Sequence, residues 1–314
     1  MARTRAPGSV LREVQRTVAD GWPAGLVVLS GDSSFHIDAA QRAILDALVP
    51  AGAGEYGLSV YGDEKVPIGT VVAACRSMGM FSERRVVLVR DLERLDGEPE
   101  PLLEYARDPA PQSHLIVRAP KLDRRRKLHK ALTKLKLFLH FQIPEDPLAS
   151  VGEIEQLARE QGVRMRPDAK NMLAHVCGGD IQRVAAEVAK IAAWLGDEKR
   201  DVRVEDLREI VGGEGAMSGW ELANAIVDRD RSRALRAARK LVEAGDEPIK
   251  VVGGIAWWAR KMLSDRNTRH YDMKELLAFP AHLLAADRAL KSRQIAPGAV
   301  LESLVDRMIG TRGS

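Results

Sequence analysis

The sequence is poor in cysteine: Cys75 and Cys177 are the two thiols among 314 residues. Two thiols build no disulfide framework, and their separation rules out a CxxC site. They read as small buried apolar residues of a reduced, cytoplasmic protein. No run of roughly 18 apolar residues occurs, which excludes a membrane-spanning helix. Met1 to Val18 carries arginines but no continuous apolar stretch, so it does not read as a secretory signal. The histidines show no HExxH or related metal spacing. His175 and His270 read as structural or surface residues, and no metal site is expected. No nucleophile paired with a base emerges, and no catalytic residue is assigned.

What is present is ordinary soluble-protein material, 45% hydrophobic and 29% charged, enough for two or three domains with real cores. The net charge of +4 is mildly basic. It is compatible with nucleic acid, but any such contact must come from a local patch.

Between residues 24 and 142 short apolar runs alternate with helix-length segments. The runs are Leu26–Leu29, Leu58–Tyr61, Val86–Val89, Leu115–Val117 and Leu137–Phe141. They are continuous, not alternating, which is how strands buried on both faces of a parallel sheet read. Phe35–Leu48 and Asp123–Leu135 read as connecting helices. The pattern predicts a parallel α/β domain over 1–144. Pro144 and Pro147 end it. Nearly everything after them reads as helix. Ile181, Val184, Ala185, Val188, Ile191 and Leu195 step by three and four, after a Gly178-Gly179-Asp180 turn and cap. Gly212, Gly213 and Gly215 mark a second break. The expected layout is an α/β domain, a small helical domain over 145–212, and a C-terminal helical domain over 213–314.

The first strand enters its helix through Gly31-Asp32-Ser33-Ser34-Phe35. In an α/β NTPase this turn carries glycines, a lysine and a Ser/Thr for phosphate and magnesium. Here Gly31 opens the turn but no Gly-Lys-[Ser/Thr] follows, and Asp32 brings negative charge where a triphosphate would sit. Asp32 and Asp91 both read as turn or cap residues. The topology points to an NTPase ancestor; the residues argue against hydrolysis.

Before the third run stands Arg76-Ser-Met-Gly-Met-Phe-Ser-Glu-Arg-Arg. Met78, Met80 and Phe81 sit around Gly79 between polar neighbours. One reading is a hinged turn that offers adaptable Met and Phe side chains to a partner pocket, at about 1.5–3 kcal/mol each when buried. The other is packing on the domain's own sheet. From Arg118 to Lys136 stand nine basic residues: Arg118, Lys121, Arg124, Arg125, Arg126, Lys127, Lys130, Lys134 and Lys136. A helix starting at Asp123 would align Arg126, Lys127, Lys130 and Lys134. That stripe suits backbone phosphates without base specificity, or is a solvated face.

Ser77–Leu95, His114–Leu128, Gly178–Ile191, Trp220–Ile226 and Ala234–Pro248 together resemble the delta subunits of the bacterial DNA polymerase III clamp loader. The similarity runs from about residue 24 to residue 265. It implies an AAA+-type α/β domain with a degenerate nucleotide site, a helical lid and a helical collar. It implies no intrinsic catalysis, although the chain would belong to a DNA-directed DNA polymerase holoenzyme, a nucleotidyltransferase. No cofactor is expected on this chain, with ATP and magnesium bound by partner subunits. The implied partners are the beta sliding clamp, the gamma/tau and delta prime subunits of a hetero-pentamer, and primed DNA. By position Met80 and Phe81, with Met78 beside them, become the clamp-binding element; Met80 stands where Leu is common. Trp257 and Trp258 become candidate collar anchors, or ordinary core aromatics. Competing readings are an active AAA+ helicase loader, a helical adaptor outside replication, and a DNA-binding regulator.

Overall fold

The computed structural model describes residues 6–49, 57–77, 84–122, 127–211, 214–245, 247–265, 270–292 and 294–310. The chain divides into two compact units. One comprises residues 1–153 with 179–185, the other 154–178 with 186–314.

The first unit is built on five parallel strands: β1 (Gly25–Gly31), β2 (Leu58–Tyr61), β3 (Arg85–Val89), β4 (Ser113–Ala119) and β5 (Phe138–Phe141). Their order across the sheet is β2-β3-β4-β1-β5. Register pairs Val28 with Val117 on one side of β1 and Leu29 with Leu139 on the other. Because alternate residues of a strand face opposite ways, each apolar run feeds two cores. Leu26, Val28, Val87, Val89, Leu115 and Val117 pack on one face, beneath α3 (Ile68–Arg76) and α4 (Glu100–Arg107). Val27, Leu29, Val86, Leu88 and Ile116 pack on the other, beneath α1 (Pro7–Asp20) and α2 (Ser34–Leu48). The fold class, a parallel α/β part followed by helices, is the one the sequence predicts.

Three details differ from the expectation. β2 lies at the sheet edge, so it is half-buried, and Val60 is exposed. Pro7–Asp20 form α1, whose Val10 and Val14 enter the core. The helix expected over Asp123–Leu135 is described as α5 over Lys127–Leu132. Beyond it the chain tightens: the Lys134 N–H donates to the Ala131 carbonyl and the Leu135 N–H to the Leu132 carbonyl. Such i→i+3 closure ends an α-helix and delivers Phe138 into β5.

The helices of the second unit are α6 (Val151–Glu160, leaving the first unit after Glu153), α7 (Pro167–Cys177), α8 (Ile181–Leu195, which begins in the first unit), α9 (Val204–Ile210), α10 (Glu214–Val227), α11 (Arg231–Glu243), α12 (Pro248–Asp265), α13 (Met273–Ser292) and α14 (Pro297–Ile309). The predicted cap at α8 is present: Asp180 accepts from the Gln182 N–H at 2.9 Å, after Gly178 and Gly179 turn the chain at φ +63° and +74°. Among the described residues no helix is long and apolar enough to cross a membrane.

One residue organises the C-terminal helices. Arg229 follows α10 with φ +58°, and its side chain is 17% exposed. Its guanidinium donates to both oxygens of Glu275, to the His270 carbonyl at 2.6 Å and to the Ile309 carbonyl at 3.0 Å. It also lies 4.7 Å from the Tyr271 ring centroid. Glu275 forms a capping box with Asp272 at the start of α13, so Arg229 joins one helix start to one helix end.

Candidate functional site

At the β1–α2 turn, where the sequence lacks a phosphate loop, the chain's own groups pair with one another. Gly31 has φ +126°, and a Cβ there would stand 1.9 Å from the Phe141 carbonyl oxygen. Only glycine allows that approach between β1 and the end of β5. The Ser33 N–H donates to the same carbonyl at 3.1 Å. Asp32 is a turn residue as predicted, but its carboxylate does not serve α2. It accepts from the Ile143 N–H at 2.7 Å, across 111 positions of sequence.

Behind the turn lies a polar chain that the sequence did not disclose. Ser33 Oγ and His36 Nδ1 are 2.7 Å apart, and His36 Nε2 and Glu153 Oε2 are 2.7 Å apart. His36 is 1% exposed and stacks on Phe141. The order serine–histidine–carboxylate is that of a hydrolase, but Ser33 is buried at 2%. A nucleophile must reach its substrate; here the chain works as packing. Its partners are separated by 117 positions, so no local motif announces them. Ser34 hydrogen-bonds Gln182 nearby.

At the end of β3, Asp91 accepts from the Glu93 N–H at 3.0 Å and caps a short 3-10 turn, as expected. The apolar element Met78, Met80 and Phe81 lies outside the described residues. Its two stems are described and tied together. Arg85, the first residue of β3, donates from Nε to the Ala74 carbonyl at 3.0 Å and from Nη2 to Ser59 Oγ at 2.9 Å. Ser77 Oγ donates to the same Ala74 carbonyl at 2.8 Å. Below them Tyr105 donates to Ser113 at 2.9 Å. Burial pushes the Cys75 thiol up to about 11 and the Tyr105 hydroxyl up to about 12, so Cys75 is held as a thiol, consistent with a structural role. Burial lowers His114 below the usual imidazole range, against a raising hydrogen bond with the Pro23 carbonyl.

The basic run divides into used and free members. Arg118 is engaged by Asp38 at 2.8 Å and donates to Gln41. Asp123 to Arg126 lie outside the described residues. On α5, His129 and Leu132 face inward, His129 lying 3.3 Å from Glu93. Lys127 and Lys130 are exposed on the outer side, and Lys134 and Lys136 are exposed beyond the helix. The predicted alignment on one helix face therefore stops at Lys130, because Lys134 follows the tightened turn. Lys127, Lys130 and Lys134 make no ion pair among the described residues.

Trp257 and Trp258 stand on α12; the Trp257 side chain lies outside the described residues. Trp258 is half-buried, with its ring 4.9 Å from that of His175, so it contributes to packing within its own unit. Among the described residues no group of three or more His, Cys, Asp or Glu could hold a metal ion.

Comparison with known proteins gives these features a context. Residues 28–142 match the family described as DNA polymerase III, delta subunit. The DNA polymerase III subunit delta of Bacillus subtilis is 24% identical over 265 residues, covering 81% of this chain and 76% of that protein. The solved structure described as the Bacillus subtilis DNA clamp loader delta protein is 21% identical, with a TM-score of 0.50, over 95% of this chain and 99% of that one. A looser likeness, TM-score 0.47 at 16% identity, covers 76% of this chain and 82% of the Thermotoga maritima RuvB Holliday junction branch migration motor. The family match lies across the parallel sheet, and the likeness along nearly the whole length shows that the chain shares the fold of the DNA clamp loader delta protein.

Proposed function

We propose that this chain binds a beta sliding clamp through Met80 and Phe81, with Met78 beside them, and favours the open ring so that a clamp loader can set it on primed DNA. The observation that carries this reading is the delta-subunit match over residues 28–142, which spans the apolar element. The stems that Arg85 holds together are a fixed base for it. Opening needs no chemistry on this chain: a partner that binds the open ring better than the closed one shifts the population.

In this reading the chain has no catalytic residue and takes no nucleotide, because the turn donors serve Phe141 and Asp32 serves Ile143. Gamma/tau subunits bind ATP and magnesium, and delta prime completes a hetero-pentamer held by the C-terminal helices over 213–314. Trp257 and Trp258 belong to that collar contact. Arg126, Lys127, Lys130 and Lys134 touch the DNA backbone in the loaded complex, at a cytoplasmic replication fork.

The test is binding of the full chain to the clamp from the same cell, comparing wild type with Met80→Ala/Phe81→Ala. Loss of two buried apolar side chains predicts a reduction of at least about a hundredfold with an unchanged melting curve. Undiminished binding in the double variant refutes the assignment, and stoichiometric ATP binding by wild type refutes the reading of the turn.

A further inference from the structure

The first unit keeps the chain as far as Glu153 and takes it back for residues 179–185, where α8 starts. Three successive side chains of the β1–α2 turn each reach one of these passing segments. Asp32 accepts from the Ile143 N–H at 2.7 Å, where the outgoing segment begins. Ser33 reaches Glu153, where that segment ends, through the buried ring of His36, at 2.7 Å for each step. Ser34 donates to Gln182 in the returning segment. All of these residues belong to the first unit.

The two segments also meet each other. A Cβ on Gly179 would stand 3.3 Å from Pro147 Cα and 3.4 Å from Pro144 Cγ, and the backbone there has φ +74°. Glycine suits both the close approach and the dihedral angle. Pro144 and Pro147 stiffen the outgoing backbone. Ser150 donates to the Pro147 carbonyl at 2.6 Å within the 3-10 turn Pro147–Ser150. One tautomer of His36 serves both of its partners: Nε2–H donates to the Glu153 carboxylate, and Nδ1 accepts from the Ser33 hydroxyl. Gly8 of α1 closes on the Glu153 carboxylate from the other side, leaving no room for a Cβ.

We infer that the β1–α2 turn is a joint that fastens the outgoing and returning segments to the first unit as one cooperative assembly, without a nucleotide. Hydrogen bonds that share one turn support one another, because breaking one frees the backbone that positions the next. In an α/β NTPase the groups of this turn close on phosphate; here its side chains close on the chain itself. Such a joint is independent of whether the chain binds a clamp.

The experiment is amide hydrogen exchange of the full chain, read by mass spectrometry. His36 is buried, so the variants are made at the exposed ends of the joint: Asp32→Ala, Gln182→Ala, and Asp32→Asn, which keeps an acceptor for the Ile143 N–H. Gln182→Ala touches the returning segment alone, yet it is expected to speed exchange in residues 144–153 about threefold or more. Asp32→Ala is expected to do the same in residues 179–185, and Asp32→Asn to stay near wild type. Exchange in β3 and β4 stays at the wild-type rate, which separates an opened joint from a general loss of stability. Strictly local effects, each variant altering only the segment it contacts, overturn the inference. Equal acceleration through β3 and β4 does so too. Slower exchange of both segments when magnesium ATP is added to wild type also overturns it, since the turn would then close on phosphate.

Discussion

Arg229 offers a direct test of how the second unit is held together. Replacing it with alanine removes the partner of Glu275, two donors to main-chain carbonyls and the cation over Tyr271. Breaking a fully buried ion pair costs about 3–5 kcal/mol, but Glu275 is 35% exposed and can recover part of its hydration. The two carbonyls and the ring contact add about 1 kcal/mol each at most. The sum, discounted for solvent access, is about 2–4 kcal/mol. The backbone supplies an internal control. At φ +58° a residue with a Cβ is strained by about 1 kcal/mol relative to glycine, so Arg229→Gly should be the milder of the two variants by about that amount. Trp194, Trp220, Trp257 and Trp258 all belong to this unit and Trp22 to the other, so tryptophan fluorescence in a denaturant titration reports mainly on it. An unchanged midpoint for Arg229→Ala would show that the side chain is ornamental, and equal damage from alanine and glycine would refute the backbone argument.

The first unit yields three further predictions. Gly31→Ala forces a methyl into the Phe141 carbonyl and should cost about 3 kcal/mol or more, seen as a lower melting temperature or insoluble protein; near-wild-type melting would contradict the observed approach. Cys75 and Tyr105 are more weakly acidic folded than unfolded, so the folded state keeps protons that the unfolded chain has lost. Stability should therefore be full below the unfolded thiol value near 9 and fall as pH rises towards about 11. Cys75→Ala should flatten part of that fall, and a profile identical to wild type would exclude the thiol. Lys127→Glu/Lys130→Glu should weaken DNA binding by the assembled loader and lower its salt slope by about two counterions; an unaltered slope would return α5 to an ordinary solvated face.

The sheet was legible because a doubly covered parallel strand must be apolar on both sides, and the three inner strands β1, β3 and β4 obey this. β2 and β5 were placed as strands too, but at the sheet edges they are only half-buried, and Val60 looks inward in sequence but is exposed. The α8 cap was readable because its donor and acceptor lie two residues apart. The Ser33–His36–Glu153 chain and the Arg229 hub were not readable, since each joins groups separated by tens of residues or more, and only packing brings them together. α1 was missed although Val10 and Val14 are one turn apart, because a single apolar pair is too short a signal. The apolar element expected at Met80 and Phe81 lies outside the described residues; the structure adds only how its two stems are tied together.

The crowded β1–α2 turn also limits how it could be rebuilt. Adding a lysine takes one substitution. Here the Ser33 N–H, the Asp32 carboxylate and the Gly31 backbone are each committed to the end of β5 or the residue pair beyond it. A lysine placed there would leave all three commitments in place, and undoing any one would first loosen the sheet. The three contacts thus lock one another, so a variant that frees the turn must first give up hydrogen bonds that stabilise the domain.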